Sequence, residues 1–265
     1  MIGFIGVGNM GGTLAKVAKN FIGAKNIIVS GRNSERTKLF AAENGCIAAT
    51  NDIIAKESSM IFLGVKPHQM RSVLEEISPI LKERCDEIVL VSMAAGLTTA
   101  QIEEFAACDV RVLRIMPNTP SLIGEGSIPY CKGRFALDSD CEELEELLES
   151  AGALIPMDEN LIDAASAVAG CGPAFVYVFI EALADAGVAC GLPRKDAVKL
   201  AAQMTAGSAK MVLQTQKHTG ELKDAVCSPG GSTIAGVCAL DENGFRNAVQ
   251  KAVKASFDRN QTLGK

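Results

Sequence analysis

In the first half of the chain the apolar positions come in short, nearly unbroken runs, and in the second half they recur at helical spacing. Residues 2–5, 26–30, 60–65, 88–92 and 111–116 are strand-length runs built mainly of Ile, Val, Leu, Met and Phe. Residues 13–21 and 69–81 lie between such runs and have helical composition. Strands that are apolar throughout are covered on both faces, and their alternation with helices predicts a mostly parallel sheet with helices on either side.

From residue 161 onward no strand pattern appears, and the breaks fall at glycines. Gly170-Cys171-Gly172-Pro173 ends one helix and starts another, with Pro173 suited to a first helical position. The helix over 174–190 is apolar on most of its circumference, through Phe175, Val176, Val178, Phe179, Ile180 and Leu183. Residues 195–214 repeat the impression. Such helices need cover from several sides, and so small a helical domain offers little. The expected architecture is therefore α/β: a Rossmann-type, mostly parallel domain over residues 1–158, then an all-helical domain over 159–265 that pairs with a second copy. The acidic stretch 141–150 reads as a solvated helix face.

The run at 2–5 ends in Gly6-Val7-Gly8-Asn9-Met10-Gly11 and opens into a helix. In a strand–turn–helix setting the first glycine makes the turn, the second admits a pyrophosphate, and the third lets helix and strand pack closely. A dinucleotide site is expected. An NAD site places Asp or Glu after the second strand, whereas this chain has Gly31-Arg32-Asn33-Ser34. Arg32, with Asn33 beside it, can face a ribose 2′-phosphate, which favours NADPH with NADH possible; the alternative is a solvated turn charge. Arg36 and Lys38 read as surface charge. Later loops at strand carboxyl ends extend the expected cofactor set: Asn51, then Val65, Lys66 and Pro67, then Ala94, Ala95 and Gly96, and Asn118 as partner for a nicotinamide amide. His68 and His218, the latter in a polar loop over 214–220, read as surface groups.

Residues 222–240, LKDAVCSPGGSTIAGVCAL, place two glycines and two hydroxyls at the mouth of an apolar helix. Gly230 and Gly231 allow consecutive amides to converge, and the helix adds its unpaired N–H groups. A small carboxylate fits such a site; a tight turn with an N-cap is the plainer alternative.

Composition narrows the partners. The chain has 265 residues and a formal net charge of −5, which argues against nucleic acid or an anionic membrane. Nine cysteines without a CxxC pair or zinc-ligand spacing imply no metal and a reducing, cytoplasmic setting. Cys171 and Cys227 adjoin the expected pocket, but no base is visible for either. No secretory pattern stands at residues 1–5, and the apolar run 161–183 carries Asp163, Glu181 and three Gly or Pro interruptions, a poor membrane span.

With these pieces in place the chain resembles the pyrroline-5-carboxylate reductase family over essentially its whole length. The likeness rests on GFIGVGNMGG at 3–12, VKPH at 65–68, MPNTP at 116–120, AGCGPAFVYVFIEALADAGV at 169–188 and SPGGSTIAG at 228–236. It implies hydride transfer from NAD(P)H to the imine carbon of 1-pyrroline-5-carboxylate, and a helical domain that forms homodimers, often five to a decamer. It also implies that Gly230, Gly231, Ser232 and Thr233 hold the substrate carboxylate and that the Thr233 hydroxyl meets the ring nitrogen as the catalytic contact. Ala169, Cys171, Phe175 and Gln216 depart from the family's usual residues, which touches the polar surroundings of the pocket. Aligned on Gly170 and Gly172, the related β-hydroxyacid dehydrogenases carry a catalytic Lys where this chain has Val176, so alcohol oxidation lacks its base. Reduction of another cyclic imine carboxylate, or a silent dinucleotide-binding regulator, are the remaining alternatives.

Overall fold

The computed structural model describes residues 1–84 and 87–263. The chain divides into two compact units, Met1–Cys171 with Ser256–Lys265, and Gly172–Ala255.

The first unit carries one eight-stranded sheet: β1 (Ile2–Ile5), β2 (Ile27–Ser30), β3 (Ile47–Ala48), β4 (Met60–Leu63), β5 (Val89–Ser92), β6 (Arg111–Ile115), β7 (Gly126–Lys132) and β8 (Gly152–Pro156). Its order is β3-β2-β1-β4-β5-β6-β7-β8. All neighbours are parallel except β6 and β7. Successive side chains point to opposite faces, so a wholly apolar strand serves two cores at once. Phe4 and Phe62 stack at 4.6 Å on one face. There α1 (Asn9–Ile22), α2 (Ser34–Asn44) and α6 (Asp138–Leu148) bring Leu14, Ala41 and Leu144. On the other face Ile5 and Leu63 meet α3 (Asn51–Glu57), α4 (Pro67–Arg84) and α5 (Thr99–Ala106) through Ile54, Leu74 and Ile102. The order turns back between β1 and β4, so a crevice opens beyond their carboxyl ends.

The expected boundary at 158/159 falls inside this unit. Helix α7 (Glu159–Ala165) packs on β7 because its carboxylates neutralise Arg114 of β6, a side chain only 2% exposed. Asp163 lies 2.6 Å and Glu159 3.6 Å from that guanidinium. Glu159 also accepts hydrogen bonds from the amide and hydroxyl of Thr99, at 2.6 and 2.9 Å. Asp163 accepts from Gln261 near the chain's end. A π-helical turn, Ser166–Gly170, then leads to the unit boundary.

The second unit is helical throughout: α8 (Gly172–Ala189), α9 (Arg194–Thr215), α10 (Thr219–Ala225), α11 (Ser232–Glu242) and the greater part of α12 (Phe245–Leu263). His218 caps α10, its Nδ1 accepting from the Gly220 amide at 3.1 Å, rather than lying in a polar loop. Among the described residues of this unit the buried apolar side chains are Ala184, Ala197 and Ala201. Tyr177, Val178 and Leu213 are 60%, 65% and 75% exposed. The helical stretch Glu159–Ala189 is 31 residues long, and its most apolar window has a mean hydropathy of 1.7, long and apolar enough to cross a membrane by composition. Only 11% of its most apolar window is buried within one chain. Phe179 packs on Phe245 at 5.8 Å, yet a bundle that leaves so many large apolar side chains exposed presents the kind of surface that marks an interaction site.

Candidate active site

The strand–turn–helix that opens the chain builds a cradle from backbone alone. Gly6 holds a φ of +97°, and its N–H donates to the Ser30 carbonyl at 2.9 Å. A β-carbon on Gly11 would stand 2.1 Å from the Gly6 oxygen, and one on Gly64 2.3 Å from it. Three backbones cross there, and no side chain fits between them. At Gly8 the same construction meets nothing within 4 Å, so the turn is open toward the crevice. Gly8 is the N-cap of α1 and supplies no capping side chain, which leaves the first-turn amides from Asn9 and Met10 for an anion. The residues present fit a dinucleotide pyrophosphate.

Two clefts flank this cradle within the first unit. The larger, about 690 Å³, is bordered by Gly6, Arg32, Ser34, Lys38, Asn51 and Val65. Across it the Ser30 hydroxyl donates to Asn51 Oδ1 at 2.6 Å, and Asn51 Nδ2 donates to Glu76 Oε2 at 2.9 Å. The smaller, about 470 Å³, is bordered by Gly8, Asn9, Met10, Lys66, Pro67, Ala94 and Ala95, with Arg36 at its edge. Val7 borders a third recess on the other side of the turn.

Three expected cofactor residues are not among those that border the two clefts. Asn33 caps α2, its Oδ1 accepting from the Arg36 amide at 2.9 Å. Gly96 turns the chain between β5 and α5 with φ +77° and borders neither cleft. Asn118 is buried with both ends of its amide engaged: Nδ2 donates to the Ala169 carbonyl and Oδ1 accepts from the Ser127 amide, each at 3.0 Å. That side chain ties the loop after β6 to the helical turn before α8 instead of reaching outward. Conversely, Arg36, Lys38 and Glu76 border the clefts, which the sequence reading missed. The Asn33 cap was the available signal, because it fixes the first turn of α2 at the cleft mouth.

In the helical unit, Gly230 takes φ +65° and Gly231 precedes α11 as its N-cap. A β-carbon on Gly231 would lie 2.4 Å from Ser228 Oγ. The Gly231 amide donates to the Ser228 carbonyl at 3.0 Å, so it closes the turn. The Ser232 and Thr233 amides begin the helix without intrahelical acceptors. Both side chains are exposed, and the Thr233 hydroxyl makes no hydrogen bond among the described residues. No group of three or more His, Cys, Asp or Glu suited to a metal occurs among them.

A glycine cradle at the switch point of a doubly wound sheet, on a chain whose other unit is a helical bundle with exposed apolar faces, defines a two-domain, dinucleotide-dependent oxidoreductase. Residues 1–96 match the model of the NADP oxidoreductase, coenzyme F420-dependent family, and residues 159–263 match that of pyrroline-5-carboxylate reductase dimerisation. Pyrroline-5-carboxylate reductase of Corynebacterium melassecola is 39% identical, with 100% of this chain and 98% of that protein covered. The enzyme of Pisum sativum is 37% identical, covering 99% and 95%. A crystal structure of the Plasmodium falciparum pyrroline carboxylate reductase with NADP bound superposes with a TM-score of 0.89 at 33% identity, over 100% of this chain and 98% of that one. The Coxiella burnetii enzyme gives 0.90 at 31%, with the same coverage. A mycobacterial 3-hydroxyisobutyrate dehydrogenase, at 14% identity and 0.54 over 71% and 63% of the two chains, shares the fold alone.

The chain belongs to the pyrroline-5-carboxylate reductase family. It is an NAD(P)H-dependent oxidoreductase that reduces 1-pyrroline-5-carboxylate to proline, and its dimerisation domain makes it a homo-oligomer.

Proposed function

We propose the following division of labour for that reduction. Amides at Gly230, Ser232 and Thr233 hold the substrate carboxylate, with Gly231 shaping the turn through its bond to Ser228. The observation that carries this is the exposed, uncapped start of α11 with a free threonine hydroxyl beside it. A helix N-terminus favours an anion, and an anchored carboxylate fixes which face of the ring is presented. The ring nitrogen in its protonated form donates to the Thr233 oxygen, so Thr233 orients an iminium that is already electrophilic and needs no strong acid. Bound NADPH supplies the hydride. Gly6, Gly8, Asn9, Met10 and Gly11 hold its pyrophosphate; Arg32, with Ser34 and Lys38, holds the 2′-phosphate. Val65, Lys66, Pro67, Ala94 and Ala95 border its nicotinamide end. Residues 159–265 form the functional dimerisation and substrate segment, and dimers through its bare helices assemble further into a decamer. The cytoplasm suits the described cysteines, none of which is joined in a disulfide.

Purified protein is given 1-pyrroline-5-carboxylate with NADPH or NADH, and loss of nicotinamide absorbance is followed. Turnover with a lower KM for NADPH is expected. No turnover with either cofactor overturns the reading.

A further inference from the structure

The larger cleft has two walls of opposite character. The α2 side presents Arg32, Ser34 and Lys38, and the opposite face of the sheet presents a single carboxylate, Glu76. Glu76 belongs to one stripe of α4, with Gln69, Ser72 and Val73, the i, i+3, i+4 and i+7 positions of a helix. It does not swing freely, because Asn51 Nδ2 holds its Oε2 at 2.9 Å while Ser30 holds Asn51 Oδ1 at 2.6 Å. The relay fixes the amide's orientation: its oxygen is taken by a hydroxyl, so its NH2 end must face the carboxylate. One carboxylate oxygen is thereby tethered and the other is left as an acceptor at the cleft.

A carboxylate on that wall is repelled by phosphate and needs a donor. Adenine offers one on its edge, the exocyclic 6-amine. We infer that Glu76, positioned by Asn51 and Ser30, reads the adenine 6-amine of the dinucleotide and makes the protein selective for adenine over bases that carry an oxygen there. This rests on the cofactor assignment above. Nothing in that assignment required a base-reading group, since the glycine cradle and Arg32 address only phosphates.

Calorimetric titration of the full-length protein with NADP⁺ and with its hypoxanthine analogue tests the inference. The analogue places a carbonyl oxygen where the amine was, so lone pair faces lone pair at Glu76. Loss of one charge-assisted hydrogen bond predicts about tenfold weaker binding of the analogue by the parent protein. In Glu76→Ala the two ligands are expected to bind within about twofold of each other, because the discriminating acceptor is gone. The residue is exposed on α4, so the thermal midpoint of the unliganded variant should match the parent. Equal affinities in the parent, or a preference that survives in Glu76→Ala, overturn the role of Glu76 while NADP⁺ binding itself leaves the cofactor reading standing. A parent protein that binds neither ligand overturns both.

Discussion

The guanidinium of Arg114 lies 2.6 Å from the Asp163 carboxylate, joining the sixth strand to the first helix that follows the sheet. Arg114 is nearly sealed from water while Asp163 and Glu159 keep side-chain exposures of 20% and 30%. The carboxylates would therefore recover some hydration if the arginine were lost. Arg114→Ala should destabilise the first unit by about 3 kcal/mol, the low end for breaking a buried pair. Urea unfolding followed by far-ultraviolet circular dichroism measures this, and an unchanged midpoint would remove the seam from the account of how α7 is held.

Thr233→Ala tests the imine contact. The hydroxyl makes no hydrogen bond among the described residues and is exposed, so the thermal midpoint should stay where it is. Turnover should fall by up to ~10²-fold, the range of a positioned hydrogen-bonding group. Equal kcat in parent and variant would exclude Thr233 from the chemistry.

Arg32 and Arg36 border different clefts, and their losses should differ in kind. Arg32→Ala should raise the KM for NADPH by about tenfold and leave NADH nearly unaffected, as expected for a charge paired only with the 2′-phosphate. Arg36→Ala should weaken both cofactors alike, since both share the pyrophosphate. Steady-state kinetics with each cofactor separates the two patterns, and a parallel loss in both variants would refute the distinction.

Burial pushes the Cys131 thiol up to about 12, with the nearby Glu159 charge adding to the effect. A thiol whose pKa is raised on folding holds its proton in the native state and releases it on unfolding once the pH passes about 9. Stability from this group is complete below that pH and declines as pH rises toward 12. At pH 8 iodoacetamide should spare the buried Cys131 until urea is added. Early alkylation of Cys131, read by peptide mass spectrometry, would contradict its burial.

The sheet was legible because four- to six-residue apolar runs punctuated by glycine admit little besides buried parallel strands. Gly6, Gly8 and Gly11 were legible for the same reason: their spacing states a backbone requirement. Asn118 was not. Its residue type suits a ligand as well as a loop tie, and only the positions of Ala169 and Ser127 decide between them. Likewise Glu159 and Asp163 look like surface charge until Arg114, some fifty residues earlier, is seen beneath them. Partners distant in sequence leave no periodicity, which is why Arg36 and Lys38 read as plain surface charge and why nothing in the sequence pointed to Glu76.

The exposed leucines, valines and tyrosine of α8 and α9 have a consequence for how the protein lives at low concentration. The sheet buries its apolar side chains within one chain, whereas the helical half leaves many of its own to be covered by a second copy. For such a protein dilution acts as a denaturant: the substrate-holding half should soften as copies separate while the nucleotide half stays firm. The enzyme's abundance in a cell thus becomes one of the terms that set its stability.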